Sequence, residues 1–385
     1  MPIGGVYLVG GGPGDPGLLT VKGRKLLEEA DVVVYDYLID EALLSHAKPE
    51  AELIPGRDLH GNRAEQERVN ELLIGRARAG RKVVRLKGGD PFLFGRGGEE
   101  GQALHAAGIP FEVVPGVTSA LAVPAYAGIP VTHRDYASSV SILTGHLQPD
   151  KDVAWQEIGS RGTLVFLMAM TNLASVVERL IEHGRSPDTP AAAIRWGTRP
   201  DQQTVVVRLA DLPQAVHAAG LGAPAVVVVG DVVRLRDELG WFERLPLFGL
   251  GVLVTRTRKQ SGGFAETLRE VGAAVFQEPV IDIRPVSDWS AVDAAIERLD
   301  RYDWVIFTSA NGVEHFCQRL WTKGGDARHF GRGRICAIGP ETARPLERFG
   351  LRADLIPPAY VAEAAAEALR PFAPKRALLP RSRLA

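Results

Sequence analysis

The 385-residue chain predicts an α/β protein, with a mostly parallel sheet in a first lobe, a mixed sheet in a second, and a partial α/β module behind them. Three observations carry this. Short β-rich runs alternate with helical patterns along the whole length. The first strands are separated by helices, as parallel pairing requires, whereas several runs after residue 116 follow one another over short links. The stretch Trp241–Gly249 (WFERLPLFG) then breaks the rhythm, and a new strand starts afresh.

Val6–Val9 reads as a strand ended by Gly10-Gly11-Gly12, and Leu18, Leu19, Leu26, Leu27 and Ala30 follow at helical spacing. Val32–Tyr35 is the next strand. A helix over about Glu65–Ala79 places Val69, Leu72, Leu73 and Ala77 on one face and stops at Gly80. Lys82–Leu86 and Phe111–Val114 complete a first lobe, residues 1–115. The second lobe, 116–245, holds a small-residue helix, Ser119–Ala127. Its strands are Val140–Thr144, Leu164–Met168, Ala191–Trp196, Thr204–Leu209 and Ala225–Val229. Residues 246–385 open with Val252–Thr255 and stop shortly after the strand-like Leu378-Leu379-Pro380, so this module is expected to be incomplete.

A formal net charge of −1 gives no global field toward nucleic acid or an anionic membrane. The two cysteines, Cys317 and Cys336, match no metal or redox spacing, and two are too few for a disulfide framework; a reducing cytoplasm fits. Met1–Gly12 lacks the basic start and apolar stretch of a secretory signal. Apolar runs such as Ala225–Val229 are strand-sized, too short to span a bilayer.

Gly12-Pro13-Gly14-Asp15-Pro16-Gly17 formally satisfies G-x-G-x-x-G, with Asp36 at the end of the next strand. A pyrophosphate loop needs backbone N–H donors, and Pro13 and Pro16 remove two of them. No Gly-Lys-Ser/Thr follows, so a P-loop fails as well. A rigid Gly/Pro loop at a strand's carboxyl end remains, suited to a cofactor without phosphates. On its own it also fits a plain strand-to-helix connection.

LVGGGPGDPGLLTVKG (Leu8–Gly23), VVRLKGGDPFLFGRGGEE (Val83–Glu100) and VVPGVTSALAVPAYAGIPVTHRDYA (Val113–Ala137) resemble, in order and spacing, three hallmark stretches of the uroporphyrinogen-III C-methyltransferases, within the tetrapyrrole methylases. SILTGH (Ser141–His146) and AAIRWGT (Ala192–Thr198) follow where the family has equivalents, so the resemblance covers roughly residues 3–245. It implies a two-lobed methylase fold, a homodimer, S-adenosylmethionine bound between the lobes with no metal, and transfer of two methyl groups to uroporphyrinogen III. The product would be precorrin-2, which feeds siroheme and cobalamin-type synthesis.

The resemblance places Pro13, Gly88, Gly89, Asp90, Leu93, Thr118, Ser119, Met168 and Gly197 at cofactor positions. These types suit the task, because glycines admit close backbone approach, Thr118 and Ser119 offer hydroxyls at a helix start, and Leu93 and Met168 give apolar walls. Taken alone, Met168 reads as core, Thr118 as a helix cap and Asp90 as a turn residue. The substrate carries eight carboxylates, so Arg96, Arg134, His133 and His146 are candidate partners. Glu99 either orients Arg96 or begins a helix favourably. The family's base falls on Asp36, which alone reads equally as a surface aspartate at a strand end. Two departures stand out. Tyr37 replaces a family Arg, and Arg57 replaces the Lys assigned as proton donor, a role that a permanently charged guanidinium does not fit.

GVLVTRTR (Gly251–Arg258), WVIFTSANGV (Trp304–Val313) and CAIGPETA (Cys336–Ala343) resemble uroporphyrinogen-III synthase. Thr308, Ser309, Asn311 and Thr342 read either as carboxylate contacts or as caps and turn residues. The rival functions are methylation of a later corrinoid, and a non-catalytic tetrapyrrole-binding module.

Overall fold

β-branched and leucine-rich runs build the first sheet from β1 (Val6–Gly10), β2 (Val32–Asp36), β3 (Glu52–Arg57), β4 (Val83–Lys87) and β5 (Phe111–Val114). Every pairing is parallel, in the order β3-β2-β4-β1-β5. The computed structural model describes residues 4–57, 63–145, 155, 158, 161–255, 258–281 and 283–381. The chain forms two compact units, Met1–Ile281 and Asp282–Ala385.

Helices α1 (Val21–Glu29), α2 (Arg63–Arg78) and α3 (Gly97–Ala106) lie in the crossovers. On one face Val6, Leu8, Val32, Val34 and Val83 meet Val69, Leu73 and Ala77 of α2 and Leu104 of α3. On the other Val9, Val33, Val84 and Leu86 meet Leu26 and Leu27 of α1. Both faces are covered, as parallel sheets require. The sequence pattern missed β3, whose Pro55-Gly56 reads as a turn. The strand lies at the sheet edge, where a missing N–H is tolerated.

The second lobe is built from α4 (Ser119–Tyr126), β6 (Val140–Thr144), β7 (Thr163–Leu167), α5 (Leu173–Glu182), β8 (Pro190–Arg195), β9 (Gln203–Arg208), α6 (Leu212–Ala218), β10 (Ala225–Val229) and α7 (Arg236–Leu239). Its sheet runs β6-β7-β10-β8-β9, with β6-β7 parallel and the other pairs antiparallel. This is the mixed sheet that the sequence predicts. Leu173, Val176 and Leu180 of α5 and Leu212 and Val216 of α6 pack on one face. Ala120, Val123 and Ala127 of α4 pack on the other.

The first unit ends with a parallel pair, β11 (Gly251–Val254) and β12 (Ala274–Gln277), flanking α8 (Arg258–Glu270). Leu253 and Phe276 on this pair are exposed. The second unit holds α9 (Ser290–Ile296), β13 (Trp304–Phe307), α10 (Ala310–Thr322), β14 (Arg334–Ala337), α11 (Pro340–Glu347), α12 (Ala362–Leu369) and β15 (Ala377–Leu378). Its parallel sheet, β14-β13-β15, packs on Val313, Phe316 and Leu320 of α10 and Leu346 of α11. Ser309 caps α10, its hydroxyl accepting from Gly312 N at 3.1 Å, and Thr342 is buried within α11.

Candidate active site

Three loops leave the carboxyl ends of β1, β4 and β5 and meet. Gly89 N donates to Gly12 O at 2.7 Å, and Gly12 N to Gly89 O at 3.3 Å. A Cβ on Gly116 would lie 2.1 Å from Gly89 O, and one on Gly10 2.4 Å from the Gly116 Cα. Side chains are excluded there, so these glycines are required by backbone contact. Asp90 fastens the loops, with Oδ1 accepting from Phe92 N at 2.8 Å and Oδ2 from Gly116 N at 3.1 Å. Thr118 caps α4 through Ala120 N at 3.3 Å, and Ser119 is the first residue of that helix. Gly89 lies beside this start, Gly88 faces Leu38, and Pro13 is half-buried in the β1 loop.

The second lobe brings its own strained loops to the first. Of the six non-glycine residues with positive φ among those described, five are Phe94, Arg96, Met168, Trp196 and Thr198. Four of them fall in the motif stretches read from sequence and Met168 is named there by itself, and strain of this kind collects at functional sites. Met168, read alone as core, stands past the end of β7 at φ 56° and is 51% exposed. Leu93, from the loop after β4, packs against the second lobe's apolar cluster around Val123 and Val165. Gly197 has a packing reason too, since a Cβ there would lie 2.3 Å from Val123 Cγ1.

Arg96 caps α3 in the left-handed region, and Glu99 holds its guanidinium, Nε donating to both carboxylate oxygens at 3.0 and 3.1 Å and Nη2 to Oε2 at 2.7 Å. Glu99 both pairs with Arg96 and lies in the first turn of α3, so the structure is compatible with either reading of it. Asp36 ends β2, where the Arg85 guanidinium donates to its Oδ1. The β2–β3 register slips at Tyr35/Asp36, so Asp36 pairs with Arg57, whose side chain lies outside the described residues. Burial and the Asp36 charge push the adjacent Tyr37 phenol up to about 12. Arg134 is exposed at the tip of the His133–Ala137 turn. Among the described residues no hydrogen bond or ion pair ties it to the loop cluster. His146 lies outside the described residues.

Two groups escaped the sequence reading. The first is a clasp between the lobes. Asp15 N donates to Thr198 Oγ1 at 3.0 Å, and the Tyr126 hydroxyl donates to Asp15 Oδ2 at 2.6 Å. Thr198 N donates to Gln202, which donates to Glu243, and Arg236 joins Glu243 to the Ala127 carbonyl. The second is a buried charge cluster at the carboxyl end of the face that carries Val83, Val32 and Val34. Arg85 and Lys87 follow Val83 at a spacing of two and therefore share its face. Arg85 Nε donates to Glu100 Oε1 at 3.1 Å and Lys87 Nζ to the same oxygen at 2.9 Å. All three side chains are 0% exposed. Gln66 of α2 donates to that oxygen as well, at 3.2 Å. Charged residues inside the strand-like VVRLK were the available signal.

The geometry sits within a clear family relationship. The family model of tetrapyrrole (corrin/porphyrin) methylases matches residues 5–213, and that of uroporphyrinogen-III synthase HemD matches residues 263–385. The porphyrin biosynthesis protein HemD of Ruminiclostridium josui is 42% identical over 361 residues, 93% of this chain and 72% of that one. The uroporphyrinogen-III C-methyltransferase of Bacillus subtilis is 39% identical over 365 residues, 93% of this chain and 74% of that one. Among solved structures, the uroporphyrin-III C-methyltransferase from Thermus thermophilus complexed with S-adenyl homocysteine superimposes with a TM-score of 0.53. It is 40% identical and covers 60% of this chain and 94% of that one. The methylase loops, their spacing and this likeness agree: the chain belongs to the tetrapyrrole (corrin/porphyrin) methylases and carries a HemD-like C-terminal module.

Proposed function

We propose that the chain transfers two methyl groups from S-adenosylmethionine to pyrrole carbons of uroporphyrinogen III, giving precorrin-2 for siroheme and cobalamin-type synthesis. The observation that carries this reading is the convergence of Gly10, Gly89 and Gly116, where backbone alone lines the sheet edge. Such a cradle offers C=O groups and the Thr118 hydroxyl, while the Gly12, Gly89 and Gly116 N–H groups are already bonded within it. Lys87, the cation next to it in sequence, is already bonded to Glu100. A ligand without phosphate fits these groups, and a pyrophosphate does not.

Pro13, Gly88, Gly89, Leu93, Thr118, Ser119 and Met168 would hold the donor. Asp90 and Gly197 serve at least equally to build the loops, since the Asp90 oxygens accept backbone N–H groups and Gly197 makes room for Val123. Bound there, the donor supplies an electrophilic methyl group on a sulfonium. The residues of this chain orient the acceptor and handle its proton. Arg96, held by Glu99, presents a guanidinium to substrate carboxylates, and Arg57, Arg134 and His146 extend that role. Asp36 accepts the proton that the methylated macrocycle loses, and fixed positioning contributes much of the remaining acceleration.

We assign residues 1–115 and 116–245 to the two methylase lobes and 246–385 to a synthase-like module related to the step that makes the substrate. A cytoplasmic homodimer is the working form we propose. Among the described residues no helix is long and apolar enough to cross a membrane. The test is acceptor choice. With a methyl-labelled donor, the label should enter uroporphyrinogen III. Label entering only a later corrinoid, or neither acceptor, would overturn the reading.

A further inference from the structure

The sheet face that meets α2 and α3 is apolar at its amino end and charged at its carboxyl end. Val32, Val34 and Val83 give way to Asp36, Arg85 and Lys87 along the same two strands. α3 contributes Glu100 and α2 contributes Gln66, which also donates to Asn70 at 3.1 Å. The contacts form one chain. Asp36 accepts from Arg85, Arg85 donates to Glu100, and Glu100 accepts from Lys87. Glu100 Oε1 takes three donors, whereas Oε2 is buried without a hydrogen-bond partner among the described residues.

Ionised groups removed from water are retained only when they compensate one another. Two cations, Arg85 and Lys87, balance two carboxylates, Glu100 and Asp36. Three of the four are fully buried, and Asp36, at the end of β2, keeps a small exposed area of 9%. Arg85 is a permanent charge lying between Asp36 and Glu100. Burial and the neighbouring Arg85 charge push the Lys87 ammonium down to about 8, opposed by Glu100 and Asp36. Those three groups are the charges that face it from β4, α3 and β2.

We propose that Lys87 and Glu100 are positioning residues that, acting through Arg85, set the proton affinity of Asp36. Lys87 supplies a cation that keeps Asp36 ionised, and Glu100 supplies the opposing charge that keeps its affinity for a proton from falling too low. The inference rests on the reading of Asp36 as the proton acceptor and extends it to two residues that touch neither substrate nor donor. Charge sign makes it specific. Removing the Lys87 cation raises the proton affinity of Asp36, and removing the Glu100 anion lowers it. A purely structural role for either residue moves Asp36 in no such paired way.

The test follows the Asp36 carboxyl carbon by NMR titration in the full chain carrying labelled aspartate, with Asp36→Asn identifying the signal. Lys87→Met should raise the proton affinity of Asp36 roughly tenfold, and Glu100→Gln should lower it by a similar factor. Lys87→Arg, which keeps the charge, should leave it within about twofold of the wild type. Binding of S-adenosylhomocysteine by each variant verifies folding. Because this readout needs no turnover, it is independent of acceptor identity. Failure of the wild type to methylate uroporphyrinogen III would count against the proposed function alone. Midpoints that stay fixed, or move in the same direction for Lys87→Met and Glu100→Gln, would overturn the positioning role.

Discussion

The Tyr126 hydroxyl donates to Asp15 Oδ2 at 2.6 Å across 111 residues of sequence. Asp15 stands two residues after Pro13, and Tyr126 ends the helix that Thr118 begins, so one bond joins the donor loop of the first lobe to the second. The same carboxylate accepts from Gly17 N through its other oxygen, at 2.7 Å. Burial and the Asp15 charge push the Tyr126 phenol up.

Tyr126→Phe removes this clasp while leaving the ring's packing on Trp241 and Phe242. The loss should cost about 1 kcal/mol of stability and weaken S-adenosylhomocysteine binding several-fold. Urea unfolding and titration calorimetry measure both. Unchanged affinity would show that the clasp does not shape the loop.

Gly116→Ala places a methyl group against the Gly89 carbonyl, where only backbone fits. The β4 and β5 loops must then separate. Stability should fall by about 1–3 kcal/mol and cofactor binding should be lost. Gly108→Ala is the control for substitution of a glycine, since its added Cβ meets no atom within 4 Å, although its φ of 69° adds backbone strain. Retained binding in Gly116→Ala would remove the cradle from the donor site.

Much of the fold was legible, because the strands of both methylase sheets are apolar runs between glycines and turns. Phe111–Val114, Val140–Thr144 and Ala225–Val229 are found at the bounds read from sequence. β3 was not legible, as an edge strand needs neither apolar continuity nor every N–H. Within the site the glycine loops and Arg96 announced themselves by motif. The Asp15–Tyr126–Thr198 clasp could not, since its members are ordinary residues brought together only by the closing of two lobes. Arg85, Lys87 and Glu100 were visible as charges in buried-looking segments, but their mutual pairing belongs to the tertiary structure.

Arg96→Leu should abolish or greatly reduce methyl transfer and leave S-adenosylhomocysteine affinity nearly intact. The left-handed backbone at Arg96 and the bonds to Glu99 hold the guanidinium in place without involving the glycine cradle. Steady-state kinetics beside calorimetry separates the two effects. Normal turnover would remove Arg96 from substrate binding.

Lys87 makes stability depend on alkaline pH. Its ammonium titrates at about 8 in the fold against an ordinary value of 10.5. Between those values the unfolded chain holds a proton that the folded chain has released, so stability rises with pH across that window. The stability difference between wild type and Lys87→Met should therefore shift in favour of the wild type, by on the order of 2 kcal/mol, over the window. Urea unfolding at each end measures it. Parallel profiles for the two proteins would mean that Lys87 titrates normally.

Limited proteolysis tests the division of the chain. The sequence rhythm breaks at Trp241–Gly249, yet Gly249 N donates to Pro200 O and Leu247 N to Val271 O, which ties that stretch down. Residues 283–289 form no helix or strand, and Ile283 and Val286 are exposed. First cleavage is expected there, at the division between the compact units. First cleavage at Leu245–Gly251 would instead show that the hydrogen bonds of that stretch do not hold β11, α8 and β12 to the compact unit that precedes residue 282.

The most direct measurement is mass spectrometry of uroporphyrinogen III after incubation with the full chain and excess S-adenosylmethionine, with Asp36→Asn alongside. The account predicts a product carrying two added methyl groups for the wild type and a strongly reduced yield for Asp36→Asn. An unmodified macrocycle with the wild type, or equal yields from both proteins, would contradict it.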